Sequence, residues 1–307
     1  MTIRPRFCIK QRAERRVNMD DLKMIEKALY AYVPSELPFA KALTDSMSYS
    51  LEAGGKRIRP RLVLEFSRLC GGDDKAALPF ACAIEMIHTF SLIHDDLPCM
   101  DDDDMRRGKP SNHKVFGEDI ALLAGDALNC LAFEVMSRDD TVAASGADVC
   151  IKNINILSSY CGTDGMVGGQ IIDLENENKT ADLESVTDCD RKKTGALIKA
   201  ACEMGCVCAG ADEEKIAAAR LFGENIGIAF QIVDDILDVT SSDEELGKPV
   251  GSDIENNKST YVSLLGIEEC KRRVDRLTNE ALDALKLFDG ETELLKELAL
   301  SLSTRKN

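Results

Sequence analysis

Four polar residues in an otherwise apolar stretch restrict this chain more than any other feature: Gln231, Asp234, Asp235 and Asp238 in QIVDDILDV. They fall at i, i+3, i+4 and i+7, so at about 100° per residue they share one helix face. Ile232, Val233, Ile236, Leu237 and Val239 fill much of the remainder. Unpaired charge is costly in such a setting, so something cationic must meet this face. A second acidic cluster lies far upstream in HDDLPCMDDDDMRRGKP, where Asp95 and Asp96 are followed by Asp101. Leading into it, His88, Ser91, Leu92 and Asp95 repeat the same spacing, which puts His88 two turns before Asp95, roughly 10 Å away. Pro98 then breaks the register. An unbroken helix would turn Asp101 about 120° from the face of Asp95, so a loop or bulge at Leu97-Pro98 is needed to bring it back.

Paired carboxylate clusters of this kind suit Mg²⁺, which prefers oxygen ligands and binds through one or two carboxylates plus substrate phosphates. A diphosphate would complete such a site. The bland alternative for Asp101 to Asp104 is an acidic surface loop. An EF-hand calcium loop needs Gly at its sixth position, and counting from Asp101 that place is Arg106. Twelve cysteines form no CxxC pair and only three histidines are present, which speaks against zinc. The cysteines suit a reducing compartment, and Cys202, Cys206 and Cys208 read as small core residues of a tight helix.

Around these clusters the pattern is helical almost throughout. Good helix formers dominate, prolines number eight, and β-branched alternation is scarce. Breaks fall at Gly54-Gly55, Gly71-Gly72, Gly108-Lys109-Pro110, Gly162 to Gly169, Gly210 and Gly247-Lys248-Pro249. The expectation is an all-α, single-domain bundle of about ten helices over residues 20–307, preceded by a flexible basic arm at 1–19. A formal net charge of −16 repels nucleic acid and anionic membranes. No continuous apolar run reaches the ~18 residues of a membrane span, and the start lacks a secretory signal, so no stable membrane insertion and a cytoplasmic location are expected.

Against that charge, local basic runs stand out. GGKRIRP supplies Lys56, Arg57 and Arg59 after a Gly-Gly turn; Arg106 and Arg107 follow the first acidic cluster; Lys193 and Thr194 open a helical stretch; Lys248 and Lys258 lie further on. Arginine forks match phosphate oxygens and lysine adds a point charge. Each alone is an ordinary surface charge, and Arg106 and Arg107 beside the aspartates could form only weak surface ion pairs. Together the set fits two diphosphate sites, one bridged by metal and one held by bare cations.

GGKRIRP, IHTFSLIHDDLPCMDDDDMRRGKP, LAGDAL, GGQIIDLE, KTGALI, FQIVDDILDV, LGKPVGSD and KSTY occur in this order from about Met24 to the C-terminus. In these blocks the chain resembles the trans-prenyl diphosphate synthases, and most closely bacterial farnesyl diphosphate synthases. The resemblance implies a helical fold around a deep central cavity and a homodimer. It implies Mg²⁺ held by Asp95 and Asp101 with Asp96 in support, and a further ion led by Asp234 with Asp235 and Asp238 nearby, three ions in all. Arg106, Lys193, Thr194, Gln231 and Lys248 would hold the allylic diphosphate. Gly55, Lys56, Arg59, His88 and Arg107 would hold isopentenyl diphosphate. By resemblance Lys193, Thr194 and Gln231 also stabilise the allylic cation through carbonyl and side-chain dipoles, and the departing diphosphate takes the final proton.

In the family, the residues four and five places before the first aspartate limit chain growth; here they are Ser91 and Phe90. The aromatic at Phe90 with the Leu-Pro insertion resembles enzymes that stop at fifteen carbons. A plain helical wheel nevertheless puts Ser91, not Phe90, on the face of Asp95. The segment from Glu85 to Gly125 is also very similar to plant-type geranylgeranyl synthases, so a twenty-carbon product is the alternative. A class I terpene cyclase would carry an Asn/Ser/Glu metal motif in place of DDILD. A regulatory subunit would lack aspartates from one cluster.

Overall fold

The computed structural model describes residues 20–35, 38–177, 179–240 and 259–303. The basic arm at 1–19, Lys248 and Lys258 lie outside the described residues. In chain order the elements are α1 (20–32), α2 (Lys41–Leu51), α3 (Ile58–Leu69), α4 (Asp74–Asp95), strands β1 (Met105–Arg106) and β2 (Lys109–Pro110), α5 (Asn112–Phe116), α6 (Glu118–Ser137), α7 (Asp139–Ser145), α8 (Ala147–Cys161), α9 (Met166–Asn176) and α10 (Leu183–Asp190). A π-helical turn over Arg191–Gly195 leads into α11 (Ala196–Cys208), followed by α12 (Glu213–Thr240), α13 (Tyr261–Leu265), α14 (Ile267–Ala284) and α15 (Glu293–Ser303). The all-α class expected from the pattern is what the chain adopts. Helices outnumber the ten or so expected because α5 and α13 are only 5 residues long and α7 only 7, too short to show a period.

The chain forms two compact units. One holds residues 1–61 and 78–144, the other 62–77 and 145–307. The changeovers fall inside α3, inside α4 and at the last residue of α7 rather than in a linker, so no shift in composition marks them. In the first unit α2 lies on α5 and α6. Buried Asn112 ties α5 to α2 by accepting from Ser46 Oγ (2.7 Å) and donating to the Ser46 carbonyl (2.9 Å).

In the second unit α11 is buried along nearly its whole length, between α8 and α12. Cys202 and Cys206 are core residues there, and every described cysteine is a free thiol. Gly205 has no side chain because α3 crosses it: a Cβ would lie 2.5 Å from the Val63 carbonyl oxygen. The burial of Cys270, Val274, Leu277, Ala281 and Ala284 in α14 follows the period of a helix turned toward one neighbour, α12. Each large side chain so buried stabilises by roughly 1.5–3 kcal/mol. Phe66 sits edge-on between Phe222 and Phe288 at 5.4 and 5.8 Å.

One expectation needs correction. Helices Asp74–Asp95, Glu118–Ser137 and Glu213–Thr240 are each long and apolar enough to cross a membrane by length and composition. Counting unbroken apolar runs missed them because a few polar residues interrupt each. In the first and third, 67% of the most apolar window is buried within the protein, so their hydrophobicity serves the core.

Candidate active site

In the first unit, α4 carries His88, Phe90, Ser91 and Asp95 in unbroken register. Just past it the chain makes the turn that the sequence requires. Met100 donates its N–H to the Leu97 carbonyl at 2.8 Å, and Asp101 donates to the carbonyl of Asp95 at 2.9 Å. The backbone of Asp101 is thereby brought back against that of Asp95. Asp101 is exposed and Asp95 partly buried. Asp96 is placed differently: it is buried and accepts from Arg106 Nε at 2.8 Å and from Arg106 Nη2. Burial pushes its carboxyl up, while the Arg106 guanidinium pulls it back. Arg106 Nη2 also reaches Asp103 at 2.9 Å.

Arg106 and Arg107 stand on a hairpin that the sequence did not announce. Strands β1 and β2 pair antiparallel, and the two residues between them, Arg107 and Gly108, have φ of 54° and 75°. Positive φ at both positions is the signature of a type I′ turn, which Gly108 accommodates without strain. Arg107 Nη1 donates to the Gly54 carbonyl, and a Cβ on Gly55 would lie 2.9 Å from that same nitrogen. Glycine at 55 therefore lets the guanidinium lie on the turn that presents Lys56. Arg59 and His88 belong to this group. Burial holds the His88 imidazole well below its ordinary range, and Arg59, Arg107, Arg57 and Arg106 push the same way. His88 is neutral at physiological pH and can present a nitrogen to a phosphate. Burial lowers Arg59 to about 10 and Glu85 pulls it back. Arg57 stands apart from its neighbours: its side chain is enclosed, with Nη1 2.8 Å from Glu85 Oε1. It is not one of the open cations that the basic run suggests.

Phe90 makes an edge-to-face contact with His94, centroids 5.4 Å apart. His94 Nε2 in turn lies 3.0 Å from the Leu122 carbonyl oxygen of α6. Ser91 donates its hydroxyl to the His88 carbonyl at 2.9 Å.

In the second unit a pocket of about 270 Å³ is lined by Asp173, Asp190, Lys193, Gln231, Asp234 and Asp235, among others. Lys193 is presented by the π-helical turn, and its Nζ lies 2.6 Å from Asp173 Oδ2 on α9. Thr194 follows it in the turn, partly buried, and is not among the residues lining the pocket. Gln231 Nε2 lies 3.5 Å from Asp190 Oδ1. Burial pushes the Asp190 carboxyl up to about 7, Gln231 and Lys193 pull it down, and Asp173 adds to the rise. Asp235 accepts the N–H of Tyr261 at 2.8 Å, fixing the start of α13, and Asp238 is buried.

These placements suit a phosphate-handling family, and residues 40–294 match polyprenyl synthetase. The chain belongs to that family. It is a trans-prenyl diphosphate synthase, a prenyltransferase. Over 286 residues the synthase is 46% identical to a farnesyl diphosphate synthase of Bacillus subtilis, covering 93% of this chain and 96% of that one. It is 45% identical to a geranylgeranyl diphosphate synthase of Cyanophora paradoxa, covering 93% and 94%. The crystal structure of an FPP/GFPP synthase from Zymomonas mobilis superposes with a TM-score of 0.83 at 36% identity, covering 94% and 97%.

The donor set fits Mg²⁺. Exposed Asp101, partly buried Asp95 and the pocket-lining Asp234 offer hard carboxylate oxygens, which magnesium takes together with substrate phosphates. Asp238 is buried and does not line the pocket of the second unit. Asp173, Asp190 and Glu85 were not singled out from the sequence. Asp173 lies in the block GGQIIDLE, an acid in an apolar helix, the signal that singled out Asp234. Asp190 and Glu85 carry no local signal, because their partners come from other elements.

Proposed function

We propose that the synthase joins isopentenyl diphosphate to dimethylallyl and then geranyl diphosphate, stopping at farnesyl diphosphate. The observation that carries the fifteen-carbon product is Phe90, a bulky ring fixed against His94 five residues before Asp95. A rigid aromatic limits a growing chain better than a flexible side chain because few rotamers let it move aside.

In this reading Lys56, Arg59, His88 and Arg107 bind isopentenyl diphosphate. Lys193 and Arg106 stabilise the negative charge that develops as the allylic C–O bond breaks and its electron pair leaves with diphosphate. The isopentenyl double bond then attacks the allylic cation, and the proton lost in forming the new double bond passes to the departed diphosphate. Lys193 and Gln231, which line the pocket of the second unit, would offer carbonyl and side-chain oxygen dipoles to the cation; Thr194 enters this role by resemblance alone. Asp95 and Asp101, and separately Asp234 and Asp238, would hold Mg²⁺, which supplies Lewis-acid neutralisation of diphosphate when bound.

The test is turnover by the purified chain with Mg²⁺, isopentenyl diphosphate and each allylic starter, read by mass spectrometry. Farnesyl diphosphate should dominate, and no product should form without isopentenyl diphosphate. A twenty-carbon product would overturn the chain-length assignment; consumption of an allylic diphosphate alone would point to a cyclase. The near-equal identity to the Cyanophora geranylgeranyl enzyme is what favours the longer product as second reading.

A further inference from the structure

We infer that Arg57 is a positioning residue for isopentenyl diphosphate: it engages the buried carboxylate of Glu85, which would otherwise compete with the ligand for Arg59 and Arg107. The inference rests on the assignment of Lys56, Arg59, His88 and Arg107 to that substrate. It begins with an anomaly. GGKRIRP places three cations in four positions, yet the side chain of the middle one is wholly enclosed, 0% exposed.

Arg57 Nη1 donates to Glu85 Oε1 at 2.8 Å, Nη2 donates to the carbonyl of Leu51 at the end of α2, and Nε lies 3.7 Å from Glu26 Oε1 on α1. Its backbone has φ of 47°, unusual for a residue with a Cβ, and its carbonyl accepts the N–H of Arg61 at 3.1 Å to open α3. The planar fork thus holds the turn between Gly54-Gly55 and α3, on which Lys56 and Arg59 stand. Such a fork cannot be replaced by a single ammonium.

Glu85 gives the arrangement its specificity. It lies three residues before His88 on α4 and is buried. Its charge acts on Arg59 and on Arg107 as well as on Arg57. A carboxylate among the cations of a diphosphate site opposes binding unless another cation engages it. Tyr30 and Glu26 of α1 complete the charged and titratable surroundings of Arg57. Without Arg57, Glu85 would stand as an uncompensated buried charge and draw Arg59 and Arg107 from the ligand.

The experiment is steady-state kinetics on the full chain with each substrate varied in turn. Wild-type dependence on isopentenyl diphosphate comes first, because its absence would sink the substrate reading itself. Arg57→Met should raise KM for isopentenyl diphosphate by about tenfold or more, as loss of a buried charge partner does, with the allylic KM changed by less than about threefold. Arg57→Met combined with Glu85→Gln should recover most of that loss, because the carboxylate that competes for Arg59 is gone. A general loss of packing would not be rescued this way. If Arg57→Met does not fold, Arg57→Lys takes its place. Its one ammonium cannot serve both Glu85 and Leu51, so a rise specific to isopentenyl diphosphate should remain, at about threefold. An unchanged KM, equal rises for both substrates, or a double variant no better than the single one would overturn the inference while leaving the wild-type activity as found.

Discussion

At the scale of single residues, the decisive groups are those whose charge state the fold has altered. Asp190 is the clearest. Its carboxyl keeps its proton up to about 7 in the folded chain, chiefly because it is buried. In the unfolded chain it would lose that proton near ~3.9. Between those values the folded state binds more protons than the unfolded state, so the stability due to this group falls as pH rises through the window. Asp190→Asn keeps an oxygen that can accept from Gln231 and has no charge to bury. It should therefore be more stable than wild type at pH 8, by roughly 2–4 kcal/mol, and equal to it below about pH 4. Urea unfolding in EDTA at both values checks this, and a variant less stable at pH 8 would refute it. The same comparison shows how far sequence reading goes. The spacing His88–Asp95 and Gln231–Asp238 is legible because neighbours on one helix face follow from the period alone. Arg57, Glu85 and Asp190 are not legible, since nothing local tells an enclosed charge from a solvated one when its partner comes from another helix.

Among the elements, the π-helical turn at Arg191–Gly195 matters most for placing Lys193. A π-turn inserts an extra residue into a helix and occurs often at functional sites. Here it is held by two glycines in neighbouring helices. A Cβ on Gly169 of α9 would lie 2.2 Å from the backbone nitrogen of Lys193, and one on Gly227 of α12 would lie 2.8 Å from the Cα of Gly195. Both approaches are backbone to backbone, so no flexible side chain can yield. Gly169→Ala should destabilise by about 1–3 kcal/mol, as overpacking does. Lys193 would be shifted, and kcat should fall by about tenfold or more, since a displacement near 1 Å can cost that much. Denaturant midpoints and kcat for the variant check both parts; a stable variant of full activity would separate the glycine contact from the placement of Lys193. The sequence marked Gly162 to Gly169 only as a break. The π-turn and the Arg107-Gly108 hairpin went unseen because each is shorter than one period of any regular pattern.

For the whole molecule, charge sets the terms on which substrate can bind. A chain of net charge −16 repels a diphosphate at long range, and the attraction must come from local cations and from divalent ions. Most of the cations in the described sites are already engaged: Lys193 with Asp173, Arg106 with Asp96 and Asp103, and Arg107 with the Gly54 carbonyl. The acidic pairs Asp95/Asp101 and Asp234/Asp238 add further repulsion unless ions occupy them. Metal and diphosphate should then bind with positive coupling, each weak alone, because each neutralises the charge that opposes the other. Together, at about 100 times the apparent Kd, they should stabilise the fold by about 2.7 kcal/mol. For a chain of 307 residues that corresponds to a rise in Tm of roughly 4 °C. Mg²⁺ alone or inorganic pyrophosphate alone should give a small part of that rise, and EDTA should abolish the excess. Asp95→Asn and Asp234→Asn should each reduce the joint rise, because each removes a carboxylate that would hold an ion. A shift with pyrophosphate that is the same with and without Mg²⁺, in wild type and both variants, would mean that the basic residues alone hold the diphosphate and that the aspartates serve another purpose.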